Sequence, residues 1–251
     1  MTADFQTTLE RGATALGMPL TPPQIDQCVR YTLLLLETNR HTNLTRITEP
    51  KEVALKHFVD SLTVLRAVTD LPQGATVADV GTGAGFPGVV LKIVRPDLKL
   101  TLLDSLQKRL TFLAEVTAAL ELTEVTLVHA RAEEAGRDPL HRNRYNLVTA
   151  RAVATLPTLL EWCTPLCAVR GRFVALKAAG VDDELAASEI AMSELGLRLE
   201  QDLALTLPGM ETDESASVEP AASRRLLVYR KTFPTRSRYP RRSPEIKASP
   251  L

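Results

Sequence analysis

Between Thr76 and Lys177 the chain switches repeatedly between two periodicities, and this limits its fold more than any other feature. Short apolar runs alternate with helical patterns through "TVADV", "GVVLKIV", "LKLTLLD", "QKRLTFLAEVTAAL", "EVTLVHA", "YNLVTAR", "LPTLLEWCTPL" and "GRFVALK". Repeated βα units whose strands are apolar throughout imply a parallel sheet covered on both faces. Further on, "LRLEQDLALTL" and "RRLLVYRK" read as two more strands around a polar insertion. A hairpin there predicts an antiparallel edge on a mostly parallel sheet of seven strands, an α/β fold of Rossmann-like type.

The first seventy residues carry only helical patterns. "FQTTLERGATALG" ends at Gly17, a C-cap signal. "TPPQIDQCVRYTLLLLETN" opens with Thr21 as N-cap, Pro22 at the first helical position and Gln24 three residues on. After the polar bend "NRHTNLT", another helix begins near Pro50. The expected organisation is a helical extension over 1–70, a main domain over 71–233 and a basic tail over 234–251.

Hydrophobic residues make up 45% of the 251, ample for a buried core. No apolar run approaches the roughly 20 residues that span a bilayer, and the N-terminus lacks the pattern of a secretory signal. Cys28, Cys163 and Cys167 form no zinc-type spacing, so no metal site is expected and a reducing cytoplasm fits. Cys163 and Cys167, four apart, are expected on one helix face. The net charge of zero hides an asymmetry: eleven acids face one base from Val181 to Glu219, and nine bases face one acid from Arg224 to Lys247. That basic end points to a polyanionic partner. Its last twenty residues show no periodicity and are expected to be extended.

The loop "VADVGTGAGFPG", Val77 to Gly88, follows the first strand of the αβ region, at the carboxyl edge where such sheets bind ligands. Read from Gly81, the spacing puts Phe86 where a dinucleotide fingerprint needs Gly or Ala. Read from Gly83, "GAGFPG" satisfies the spacing but starts three residues beyond Val80, and Pro87 removes an amide beside the supposed pyrophosphate. S-adenosylmethionine has no pyrophosphate to cradle. Asp79 could meet its amino group, directly or through water, and Asp104, closing "LTLLD", could accept both ribose hydroxyls. An acid at that strand end also occurs in nicotinamide sites.

Taken with "NLT" at Asn43–Thr45, "HFVDS" at His57–Ser61, "LLDSLQKR" at Leu102–Arg109 and "ARA" at Ala150–Ala152, the loop makes the chain resemble a known family. It is the bacterial 16S rRNA guanine-N7 methyltransferase G family, formerly glucose-inhibited division protein B. The likeness runs from about Arg30 to Lys177 and resumes in "RYPRR". It implies a class I methyltransferase fold with S-adenosylmethionine bound in the main domain. The cofactor residues it implies are Gly81 and Phe86 in the loop, Asp104, Ser105 and Leu106 after the second strand, and Ala132 and Glu133 at the adenine edge; Gly83, in the same loop, is a further cofactor-binding candidate. Arg151, at the end of the fourth strand, would lie beside the cofactor and the methyl-transfer site.

The reaction implied is methylation of N7 of the guanine conventionally numbered 527 in the small-subunit rRNA. N7 carries a free lone pair, so no general base is nominated; Arg151 is a positioning group. His57, Asp60 and Ser61, at i, i+3 and i+4, share a helix face and are expected to pin that helix to the sheet. Lys108, Arg109, Lys177 and the tail arginines are candidate phosphate contacts, and Tyr239 could stack on a base. The expected partner is 16S rRNA or the small ribosomal subunit, engaged by a monomer. Other readings are methylation of a different RNA, protein or small molecule, a nicotinamide-dependent oxidoreductase, or an RNA-binding module without catalysis.

Overall fold

The computed structural model describes residues 2–151, 154–178, 180–208 and 223–251. Most of the polar insertion, with four of the acids counted above, lies outside the described residues, as does Ala152 of the "ARA" motif.

Helix α1 (Thr2–Ala15) stops where Gly17 turns to φ 76°, with Met18 N–H donating to Ala13 O and Gly17 N–H to Thr14 O. That pair of bonds closes a Schellman-type C-cap. Helix α2 (Pro22–Thr42) starts behind Thr21, whose N–H donates to Gln24 Oε1 at 2.9 Å. A third helical segment is continuous but in three pieces: α3 (Pro50–Val53), a π-helical stretch (Ala54–Val59) and α4 (Asp60–Ala67).

The remainder alternates as its sequence pattern requires: β1 (Thr76–Val80), α5 (Gly88–Val94), β2 (Lys99–Asp104), α6 (Gln107–Ala119), β3 (Val125–His129), α7 (Ala132–Ala135), β4 (Tyr145–Arg151), α8 (Leu156–Cys163), β5 (Cys167–Ala178), α9 (Asp182–Ala186), α10 (Glu189–Leu195), β6 (Leu197–Thr206), β7 (Ser223–Lys231) and α11 (Ser243–Ala248). The sheet order is β3-β2-β1-β4-β5-β7-β6. Pairings through β5 are parallel, while β7 runs antiparallel between β5 and the outermost strand β6. The hairpin thus makes the antiparallel edge.

Side chains alternate between two cores, one on each face. Along β7, Leu226 and Val228 enter one cluster while Leu227 and Tyr229 enter the other. The first cluster includes Phe5, Leu35 and Phe58 from the N-terminal helices, so that extension covers one sheet face and shares its core. The second gathers Leu159, Leu160 and Cys163 beneath α8.

Three expectations are corrected. Cys163 ends α8 and Cys167 opens β5, so the two do not share a helix face; a turn at Thr164–Leu166 separates them. The C-terminal residues are not extended: α11 forms, Ile246 is fully buried and Tyr239 is 4% exposed. A tyrosine so buried has no free face for a base. Among the described residues no helix is long and apolar enough to cross a membrane.

Candidate active site

The strand order reverses between β1 and β4, and loops leaving their carboxyl ends diverge to opposite faces, which opens a crevice there. The glycine loop after β1 forms its floor. Asp79, at the end of β1, is fully buried and shapes that floor from below. Its Oδ2 accepts from Thr82 Oγ1 at 2.6 Å and Gly88 N at 3.0 Å, and Oδ1 from Thr149 Oγ1 at 3.0 Å. Burial pushes its pKa up, and these three donors hold it partly back. Asp79 therefore organises the loop; of the two expected routes to a ligand amino group, direct or through water, its full burial removes the direct one.

The loop also leaves few amides for a phosphate. Those of Gly81 and Thr82 donate to Leu103 O, those of Gly85 and Phe86 to Thr82 O, Gly83 to Asp104 and Gly88 to Asp79. Amides already spent inside the protein cannot cradle a pyrophosphate, which counts against a dinucleotide. Gly83, at φ 61°, has open space where a Cβ would stand, with only Gly81 O at 3.9 Å. Gly85, at φ 101°, has the opposite constraint: a Cβ there would lie 2.5 Å from Tyr31 Oη and 2.7 Å from Leu113.

Two cavities meet above this floor at Gly81, Asp104 and Ser105. One, of about 220 Å³, is bounded by Ala132 and Glu133 of α7, by Trp162 and by Ser243 and Lys247 of α11. The other, of about 390 Å³, is bounded by Thr45, His57, Gly83, Phe86, Arg109 and Arg151. Asp104 sits at the junction, 1% exposed. Its Oδ2 accepts from Gly83 N at 2.9 Å and Oδ1 from Leu106 N at 2.9 Å, while Arg109 Nη1 approaches Oδ2 at 3.1 Å. A carboxylate has about four acceptor positions, so a ribose diol would compete with Arg109 for those left. The structure thus brings Gly81, Gly83, Phe86, Asp104, Ser105, Ala132, Glu133 and Arg151 to one crevice. The Leu106 side chain is 42% exposed and outside both linings; only its amide is engaged.

The larger cavity carries a connected network. Arg151 Nη1 donates to Lys56 O at 2.9 Å and to Asp60 Oδ2 at 3.2 Å, and Nη2 reaches His57 Nδ1 at 3.3 Å. Arg224 Nε donates to the other Asp60 oxygen at 3.1 Å. Both Lys56 and His57 lie in the π-helical stretch, a local widening that often marks functional positions. The helix-to-sheet pinning expected of His57, Asp60 and Ser61 is present, through arginines on β4 and β7; Ser61 itself bonds only back to His57 O, at 2.5 Å.

Polarity along the network is fixed by Arg151, which can only donate. His57 Nδ1 therefore accepts, and Nε2–H donates to Thr45 Oγ1 at 2.9 Å. Burial first, and Arg151 second, lower the imidazole pKa to about 3. His57 is neutral near pH 7 and its single N–H is committed to Thr45. Its ring stacks on Phe86 at 4.6 Å between centroids, and Tyr31 of α2 stacks on Phe86 from the other side at 5.0 Å. Tyr31 Oη also donates to Ala84 O in the loop. Arg151 lies over the Phe86 ring at 5.3 Å, a cation–π contact worth about 0.5–2 kcal/mol. The N-terminal extension thereby fixes the glycine loop and Arg151 together.

Sequence reading missed Thr45 as a cavity residue, although "NLT" contains it, and placed none of Trp162, Ser243 and Lys247 at this crevice, counting Lys247 only among the bases of the C-terminal segment. Lys108 donates to Thr42 O at 3.4 Å, and Lys177 pairs with Glu184 at 2.7 Å. Arg236 and Arg238 pair with Glu194, and Arg241 with Glu161. Among the described residues no group of three or more His, Cys, Asp or Glu side chains could hold a metal ion.

A family model for rRNA small subunit methyltransferase G matches residues 24–206. A ribosomal RNA small subunit methyltransferase G of Lactobacillus helveticus is 46% identical over 233 residues, covering 92% of this chain and 93% of that protein. One of Symbiobacterium thermophilum is 44% identical over 254 residues, covering 98% of each. Among solved structures, a SAM-dependent methyltransferase from Aquifex aeolicus superposes with TM-score 0.52 at 17% identity, covering 75% of this chain and 96% of that one. A precorrin-6y C5,15-methyltransferase from Geobacter metallireducens gives TM-score 0.52 at 16% identity, over 76% and 92%. These two likenesses support the fold: a class I methyltransferase sheet with flanking helices.

Proposed function

The chain belongs to the rRNA small subunit methyltransferase G family, an S-adenosylmethionine-dependent enzyme family acting on 16S rRNA, and from that premise we propose that it methylates N7 of guanine 527. When bound, S-adenosylmethionine supplies an electrophilic methyl group on a sulfonium. The residues that would hold it are Gly81, Gly83 and Ser105 along the floor, Asp104 at the ribose, Ala132 and Glu133 at the adenine, and Phe86 and Arg151 toward the methyl. The open space at Gly83 and the absence of a free amide cradle fit a cofactor without a pyrophosphate.

One observation carries the choice of N7. The His57 imidazole at the transfer end is neutral, with its proton committed to Thr45 and its lone pair to Arg151. It offers no free base, and an N7 lone pair requires none before attack. What the residues supply is position: Arg151 is held from three sides and Phe86 is clamped between two rings. Alignment of reacting atoms about 3 Å apart can account for several orders of magnitude in rate.

The test is incubation with labelled S-adenosylmethionine and undermethylated small subunits, followed by mapping of the product. Label at N7 of guanine 527 is expected. Label at another atom or nucleotide, or only in protein, would overturn the assignment.

A further inference from the structure

The sequence marks residues 234–251 as a basic tail for RNA, and the fold uses them differently. Arg241 is fastened to Glu161, a carboxylate with no exposed surface, through its backbone N–H at 2.7 Å, Nε at 2.9 Å and Nη2 at 2.6 Å. Upstream, the Arg142 guanidinium donates to Tyr239 O at 2.8 Å and Thr235 O at 2.8 Å. Downstream, Ile246 is fully buried. These anchors lay α11 across the smaller cavity, where Ser243 and Lys247 join the lining with Glu133 and Trp162.

Two side chains in that lining have unused capacity: neither the Glu133 carboxylate nor the Lys247 ammonium makes a hydrogen bond or ion pair with the described residues. The indole N–H of Trp162, beside them, is buried with no hydrogen-bond partner. A cavity edged by the Glu133 acceptor and the Lys247 donor matches a purine edge, which offers an exocyclic amine and ring-nitrogen acceptors. The arginines of this segment, by contrast, are largely engaged: Arg236, Arg238 and Arg241 are all ion-paired within the protein.

We propose that the C-terminal segment is the outer wall of the adenine subsite, with Lys247 a cofactor-binding residue that donates to the purine ring, and that its role is to hold cofactor instead of RNA. The inference rests on S-adenosylmethionine being the cofactor. Trp162 is the single tryptophan of the chain, so its emission reports on this cavity alone.

The experiment titrates the full chain, Lys247→Ala and a chain ending at Pro240 with S-adenosylhomocysteine and with 5′-methylthioadenosine. Binding is read by calorimetry and by Trp162 emission, and small-subunit affinity is measured in parallel. Lys247→Ala, at an exposed position that leaves the Arg241 and Ile246 anchors intact, keeps the test valid if the truncated chain fails to fold. Expected are a change in Trp162 emission on binding and a loss of about 3–10-fold in affinity for both ligands in Lys247→Ala. The truncated chain should lose more than about tenfold, with small-subunit affinity unchanged. Unaltered binding in Lys247→Ala would overturn the proposal. So would truncation that weakens small-subunit binding while sparing both adenosine ligands. No binding by the full chain would instead remove the cofactor reading beneath it.

Discussion

The two ends of the crevice are built on opposite terms. At the smaller cavity, proposed above for the adenine, the side chains of Glu133, Trp162 and Lys247 retain unused hydrogen-bonding capacity. At the larger cavity, proposed above as the transfer end, Arg151, His57, Thr45 and Asp60 are already bound to one another, and the rings of Tyr31, Phe86 and His57 form a stack. Unsatisfied groups at one end leave energy to be gained from a ligand. Satisfied groups at the other hold a geometry, because a polar network whose members are all partnered is rigid and specifies one arrangement. Asp104 lies between and belongs partly to both, since it ties down the loop and faces the junction.

Breaking the wired end should have the largest effect. Asp60→Ala removes the anion shared by Arg151 and Arg224, both about one-fifth exposed. Urea unfolding should show a loss of about 3–5 kcal/mol, as expected when one partner of a buried pair is removed. Methyl transfer should fall by more than about 100-fold while the folded fraction binds S-adenosylhomocysteine within about threefold of the parent. Equal losses in binding and transfer would erase the distinction between the ends.

Asp104→Ala addresses the junction. Loss of a charged acceptor for two hydroxyls should weaken S-adenosylhomocysteine by roughly 30–100-fold, with a smaller destabilisation from the freed Gly83 and Leu106 amides. Calorimetry measures the first and thermal unfolding the second; unchanged affinity would take Asp104 away from the ribose.

A smaller effect sharpens the comparison through pH. An unfolded chain protonates its histidine near 6.5, whereas His57 in the fold does so only near 3. Between those values the unfolded state binds more protons. Stability from this group is therefore whole above about pH 6.5 and falls by up to about 1.4 kcal/mol per unit below it. Urea unfolding at descending pH should show this slope in the parent and lose it in His57→Gln. The same slope in both would mean that the imidazole is not held neutral.

Much of the sheet was legible because parallel strands buried on both faces write continuous apolar runs, as at Phe173–Leu176. The Gly17 and Thr21 signals were legible because caps are local. The less legible features share a non-local origin. Asp79 and Asp104 look alike in sequence, each an acid at or near the end of an apolar strand. What separates them is the fold: Asp79 lines neither cavity and is held by Thr82, Gly88 and Thr149, the last on another strand, whereas Asp104, held by Gly83, Leu106 and Arg109, faces both. The π-helical stretch leaves the apolar spacing of "VALKHFV" nearly helical. The fold of the C-terminal segment depends on Glu161 and Arg142, roughly 80 to 100 residues upstream, so nothing in "RSRYPRRSPEIKASPL" itself announces it.

The central claim is that the transfer end works by position, with no titrating base. Single-turnover methyl transfer at saturating S-adenosylmethionine and saturating small subunits isolates that step from binding and product release. Across roughly pH 6 to about 9 the rate should stay flat, because His57 remains neutral throughout and N7 has no proton to lose. A rise of about tenfold per pH unit that levels off at a single pKa within that window would contradict the account and place a base in the crevice.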